Sequence, residues 1–183
     1  MLNFVSEVVR YFTISDQCVR AAFIRYSHDA DTAIQLGQYS DVFSLMQKIR
    51  QIGLLGGHSN LAPALHLLRT VVFARDRVRS NAVRVAIIIT DQLRTNAHIH
   101  AEAEKVRSQN IRLVAVAITG LDRVDVSFLN TMTDQVIQVA EYSGLVSDAR
   151  DFIVERYACS SLTTTTPRPP FLRSTTSAAT GES

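Results

Sequence analysis

Leu55-Gly56-Gly57-His58-Ser59-Asn60-Leu61 is followed, one helix later, by Val85-Ala86-Ile87-Ile88-Ile89-Thr90-Asp91. The first stretch is a glycine turn bearing a hydroxyl; the second is a strand-length apolar run that ends in a carboxylate. In a parallel sheet both groups emerge at the carboxyl ends of strands, where open α/β folds place their ligands. Oxygens of this kind suit a hard divalent cation.

On either side of these stretches the hydrophobic period switches between helix and strand. Leu2, Phe4, Val5, Val8, Val9 and Phe12 repeat at helical spacing, with Glu7 and Arg10 opposite. Residues 19–26 read as a strand and residues 32–36 as a shorter one, the two forming a hairpin. Ser40 or Asp41 is placed to cap a helix to about residue 52, with Val42, Leu45, Met46 and Ile49 inward and Gly53 ending it. After the glycine turn, Ser59 or Asn60 caps a helix to about residue 73, where Pro63 is tolerated because first-turn amides have no helical partner. Residues 84–90 are expected to form a fully buried strand. Thr95 or Asn96 then caps a helix over 97–108, and residues 111–118 form a second near-continuous apolar strand, as in a parallel sheet covered on both faces. A short helix at 126–132, a strand at 136–139 and a helix at 146–158 complete the pattern, which is that of a doubly wound α/β domain with right-handed crossovers.

Composition agrees with one domain. The 183 residues are 46% hydrophobic, and nineteen Lys and Arg against seventeen Asp and Glu leave a net charge of +2 without charge runs, so neither nucleic acid nor a membrane is an expected partner. No apolar stretch reaches the length of a membrane span, and the amino end has no secretory pattern. From Ser160 onward, twelve of twenty-four residues are Ser or Thr and three of the chain's four prolines occur. That composition cannot form a packed core and predicts a disordered linker or stalk over 160–183, with the domain at 1–159. Cys18 and Cys159 leave open one bridge or two thiols.

Asn3-Phe4 in an opening helix, Val19-Arg20-Ala21-Ala22-Phe23-Ile24-Arg25-Tyr26-Ser27, Gly56-Gly57-His58-Ser59-Asn60 with Ala64-Leu65, Ile88-Ile89-Thr90-Asp91 and Leu113-Val114-Ala115-Val116-Ala117-Ile118 occur in this order. Together they resemble a von Willebrand factor type A domain of the collagen VI and matrilin kind over about residues 2–158. The resemblance implies a Rossmann-like, mostly parallel sheet flanked by helices, and a non-catalytic protein-binding module of an extracellular matrix or cell-adhesion protein. It also implies a metal-ion-dependent adhesion site in which Ser59 stands for the hydroxyl ligand and Asp91 for the carboxylate of the last loop. The ion would be magnesium, or calcium or manganese, with an acidic group of the partner completing its shell. Collagen or another matrix protein is the implied partner, and an extracellular location is implied with it.

The chain departs from that pattern in three places. Leu61 and Ala62 replace the family's threonine and glycine, and Gln92 replaces the glycine after the aspartate. The third departure is larger: the chain begins inside the opening helix, so the first, central strand and its Asp-x-Ser-x-Ser loop are absent. Losing about five or six buried apolar residues, at roughly 1.5 to 3 kcal/mol each, forfeits about 10 kcal/mol, against about 5 to 15 kcal/mol for a typical domain. The expectation is therefore an amino-terminally truncated domain that keeps two ligands, Ser59 and Asp91, with weak or no metal affinity. In matrix relatives a cysteine after the last helix pairs with one ahead of the first strand, which implies that Cys159 has lost its partner.

Other readings are blander. Ser59 could simply cap its helix. His98 and His100, two apart on a helix, point to different faces and are expected at the surface, and His58 is expected to be an ordinary turn residue. No phosphate-binding glycine motif, nucleophile elbow or zinc-protease motif is present. A metal-independent structural module is thus the alternative function, and a nucleotide-binding or hydrolytic enzyme a distant third.

Overall fold

The chain opens with an amphipathic helix, α1 (Leu2–Arg10), which buries Phe4, Val8 and Val9. Beyond it a computed structural model describes the chain through residue 159, apart from residues 54, 57–58 and 146–148. A hairpin of β1 (Phe23–Tyr26) and β2 (Ala30–Ile34) precedes α2 (Val42–Arg50), whose first turn is capped by the Asp41 carboxylate accepting the Ser44 amide at 2.8 Å. Leu45 and Ile49 are its buried face, as their spacing predicts. Next come α3 (Ala62–Leu67), extended by a π turn to Val72, then β3 (Arg84–Thr90) and α4 (Ala97–Ser108), capped by Asn96. β4 (Ile111–Ile118), α5 (Val126–Met132), β5 (Gln135–Val139) and α6 (Arg150–Tyr157) follow.

Strands β3, β4 and β5 form a parallel sheet in that order, with Arg84 opposite Ile111 and Val114 opposite Gln135. Its middle strand, β4, is buried everywhere except Arg112. β1 and β2 form a second, antiparallel sheet that does not join the first. Among the described residues no strand lies between β1 and β3, where the resemblance puts the first, central strand.

Three apolar clusters show the consequence. On one face a single cluster runs from Ile24 and Tyr26 of β1, through Ala86 and Ile88 of β3, to Leu113, Ala115 and Ala117 of β4, under α3, α4 and α5. On the other face the core is divided. Phe4 and Val8 pack with Val116, Ile118, Val139 and Ile153, while Val9, Ile14, Ile34, Leu45 and Ile49 form a separate group. Val5 and Phe12 of α1 touch both groups, so α1 lies over the division.

This corrects two expectations. β3 is not fully buried: only Ile88 and Thr90 are, because its outer edge has no strand beside it to exclude water. β1 starts at Phe23 rather than residue 19, since Val19 instead bridges Ile14. The helix expected at 146–158 is described only from Arg150, and the linker expected at 160–183 lies outside the described residues.

Cys159 has a partner after all. It is bonded to Cys18, with the two Cα atoms 5.6 Å apart across a sequence separation of 141. The amino-terminal partner that the resemblance implied is thus replaced by a cysteine ahead of β1. Arg79 reinforces this corner, donating to the Cys18 carbonyl at 2.7 Å and to that of Asp16. On the opposite face Glu102 is buried between Lys105, at 2.7 Å, and Arg69, at 3.1 Å. These cations, Lys105 first, hold its carboxyl below the usual range against the cost of burial.

Closing a loop of that length removes much unfolded-state entropy, with a ceiling of about 5 kcal/mol. Replacing both cysteines by alanine should lower the unfolding free energy by about 2 to 5 kcal/mol. Urea unfolding of the two forms, read by circular dichroism, measures this; equal midpoints would show that the bridge constrains little.

Candidate functional site

At the carboxyl end of β3 the buried Thr90 hydroxyl donates to the Gln92 carbonyl at 3.0 Å and accepts the Gln92 amide at 3.3 Å. The tight turn this makes sets Asp91, half-buried, at the crest of the sheet. Leu93 then exchanges main-chain bonds with the loop after β4, donating to Arg123 at 3.0 Å and accepting from Asp125 at 2.8 Å. Asp125 takes the Thr95 hydroxyl at 2.5 Å and caps α5 through the Phe128 amide at 2.9 Å. Both interactions, Thr95 first, lower its pKa.

Asp91 is engaged by a residue far along the sequence. Its Oδ2 accepts the hydroxyl of Tyr142, from a short 3-10 turn (Tyr142–Gly144) after β5. That turn is positioned by Gly120, whose amide donates to the Ala140 carbonyl at 2.9 Å. A Cβ on Gly120 would stand 2.2 Å from the same oxygen, so only glycine permits the approach. Burial, then the bond to Asp91 and its charge, push the Tyr142 phenol up to about 12.

Tyr26 is the second phenol of the crest. Its hydroxyl donates across the missing-strand gap to the Ile89 carbonyl at 3.4 Å. Burial raises its pKa, while the Thr90 and Ser59 hydroxyls act on it as hydrogen-bond partners and the Asp91 charge raises it further. Ser59 is not the helix cap. Leu61 stands there, without a side-chain cap bond, and the Asn60 Oδ1 just ahead of it accepts the Ala62 amide at 3.3 Å. Ser59 and Asn60 also line a cavity of about 160 Å³ with Gln92, Leu93, Arg94 and Thr95.

A magnesium-like ion asks for six oxygens in near-octahedral array. Here Thr90 is turned back on its own loop, one Asp91 oxygen is taken by Tyr142, and no three His, Cys, Asp or Glu groups lie together among the described residues. The described donors do not fit such an ion. His98 is exposed and His100 lies beside Phe128, with no shared ligand role; Gly57 and His58 fall outside the described residues.

The sequence singles out Ser59 and Asp91 as site residues and neither tyrosine. Tyr26 could have been found, since it ends a strand at the same crest. Tyr142 carries no local signal, because its role depends on a contact across 51 residues.

A doubly wound α/β domain with hydroxyls and a carboxylate at the crest of its sheet defines a class of binding domain. The sequence model of the von Willebrand factor type A domain matches residues 1–152, and the chain belongs to that family. The human collagen alpha-6(VI) chain is 24% identical over 155 residues, covering 85% of this chain and 7% of the collagen. The collagen alpha-1(XII) chain of Notophthalmus viridescens is 29% identical over 152 residues, covering 81% of this chain and 16% of the relative. The chain thus spans a small part of these relatives' length. Among solved structures, proximal thread matrix protein 1 of the mussel byssus, with zinc in its own metal-ion-dependent adhesion site, superposes with a TM-score of 0.74 at 18% identity, over 86% of this chain and 41% of that one.

A phenol whose folded-state pKa is raised contributes fully below the ordinary value, about 10, and loses that contribution as pH rises toward about 12. Asp91→Asn should move the ionisation of Tyr142 back toward the ordinary range. Phenolate absorbance followed through alkaline titration, with Tyr142→Phe identifying the component, tests this; superimposable curves for wild type and Asp91→Asn would refute the contact.

Proposed function

We propose that residues 1–159 are a non-catalytic, protein-binding module of an extracellular matrix or adhesion protein, with residues 160–183 as its linker. The partner, collagen or another matrix protein, is met at the crest formed by Ser59, Asp91, Gln92 and Tyr142. The carrying observation is the Asp91–Tyr142 hydrogen bond, which presents an acceptor and a half-exposed aromatic side by side above the sheet. Tyrosine in such a setting offers apolar area together with a polar handle, as protein interfaces favour. The Cys18–Cys159 bridge suits an oxidising, extracellular setting, and the collagen relatives support it.

Recognition on this reading is direct and needs no ion. A second reading, with a cation between crest and partner, draws support from the influence that both Ser59 and Asp91 have on the Tyr26 phenol. Magnesium, calcium or manganese would then be held by those two residues together with oxygens from elsewhere.

Surface-plasmon measurements on immobilised fibrillar collagen and other matrix proteins, in magnesium and in chelator, separate the two. Binding should be the same in both buffers and fall roughly tenfold, about 1.4 kcal/mol, in Asp91→Ala. Loss of binding in chelator supports the ion-dependent reading. Binding indifferent to Asp91→Ala and Gln92→Ala, or none to any matrix protein, overturns the crest as the contact surface.

A further inference from the structure

The end of the sheet opposite the crest is also built by the β3–β4 register. The two strands start together, Arg84 opposite Ile111 and Val85 opposite Arg112, and α4, which ends at Ser108, brings the chain back to that level just before β4. With seven residues in β3 and about 3.3 Å of rise for each, this base lies about 20 Å from the crest. A cavity of about 410 Å³ opens there, lined by Glu104, Arg107, Asn110, Ile111, Arg112 and Asp134. Asp134 is committed: one of its oxygens accepts the Leu113 amide at 2.7 Å and the other lies 3.8 Å from the Arg107 guanidinium. Arg112 is not, being the only exposed residue of β4 and having no carboxylate in ion-pair range among the described residues.

The loop that enters β3 carries more of the same charge. Arg75, Arg77, Arg79 and Arg84 fall in a stretch whose one acid is Asp76. Arg75 and Arg77 are exposed beside a turn in which the Arg77 amide donates to the Ala74 carbonyl at 2.9 Å. Arg79 holds the loop to the base by donating to the Cys18 carbonyl at 2.7 Å. With Arg107 and Arg112, six guanidiniums stand at this end against the carboxylates of Asp76, Glu104 and Asp134. That local excess is larger than the net +2 of the whole chain, so positive charge is gathered at the base rather than spread evenly.

We propose that this base is a docking surface for a sulfated polysaccharide, independent of the crest. Every cation of the set is an arginine, whose guanidinium stays charged and whose planar fork matches two oxygens of a sulfate or carboxylate. Arginines on two neighbouring strand starts, on the end of α4 and on the adjoining loop form a track rather than a point. A track suits a linear polyanion whose charges repeat along its length, and the cavity beside Arg107 and Arg112 gives one of its groups a recessed seat. Binding of this kind grows with the number of charges met and weakens as salt screens them. Nucleic acid, another linear polyanion, is disfavoured by the Cys18–Cys159 bridge, which suits an oxidising compartment.

The probe is heparin, immobilised on a sensor surface, over which the full 183-residue chain is passed with its disulfide intact. Saturable binding is expected at about 0.15 M salt, weakening at least about tenfold at about 0.5 M. The triple variant Arg75→Gln, Arg77→Gln and Arg112→Gln should bind at least about tenfold more weakly with an unchanged thermal midpoint, because these exposed side chains hold nothing else in place. Asp91→Ala should bind heparin as the unaltered chain does, which separates the base from the crest. Hyaluronan, which carries carboxylates and no sulfate, should bind at least about tenfold more weakly than heparin. Absence of heparin binding at about 0.15 M salt, or equal binding by the triple variant, overturns the proposal. So does binding of polyglutamate or double-stranded DNA as tight as that of heparin, which would make the base a surface for acidic protein or nucleic acid instead.

Discussion

The structure turns on the backbone edge of β3. One side of the strand is satisfied by the in-register parallel ladder with β4; on the other, among the described residues, the Ile89 carbonyl is met by the hydroxyl of Tyr26. A parallel sheet covered by helices on both faces leaves no water to compensate an open edge cheaply. Most other features follow from that single deficit: the two separate sheets, the half-buried side chains of β3, and the division of one face of the core into two groups joined by Val5 and Phe12. What holds the halves together is not hydrogen bonding between strands. It is the packing of α3 against the hairpin and α4, the packing of α1 against α2 and α6, and a disulfide from the start of the hairpin region to the end of α6.

The same deficit shapes the crest. Ser59, Thr90 and Asp91 would be free for an external ligand, but here each interacts with groups already present: Tyr26, Gln92 and Tyr142. The two phenols take hydrogen bonds that a hard cation would otherwise compete for, and neither carries the charge that would bring a second carboxylate in. The domain therefore presents a hydrogen-bonding and aromatic surface at the carboxyl ends of its strands, where open α/β folds place ligands. Gly120, by letting the loops after β4 and β5 approach, is what makes Tyr142 available to that surface.

Much of this was legible in the residues. β4 and α5 begin and end where periodicity places them, and β3 does too, because strand-length apolar runs and amphipathic spacing are local signals. Asp41 and Asn96 cap their helices for the same reason, each offering a side-chain oxygen to amides within three residues. The missing central strand was legible from the order of the motifs, and the divided sheet agrees with it. What could not be read depends on distance in sequence. The Cys18–Cys159 pairing, the Tyr142–Asp91 bond and the partial exposure of β3 are set by which elements meet in space. The cap expected at Ser59 or Asn60 falls instead on Leu61, because a displacement of the helix start by a residue or two is below what spacing resolves.

Native-state hydrogen exchange of the chain alone, resolved by residue, reads the open edge directly. Amides of β4 should be the slowest, with those of Val85, Ile87 and Ile89 exchanging at least about tenfold faster than the alternating β3 amides that bond to β4. Uniform slow exchange along both β1 and β3 would mean that these strands are already paired, and would contradict the divided sheet.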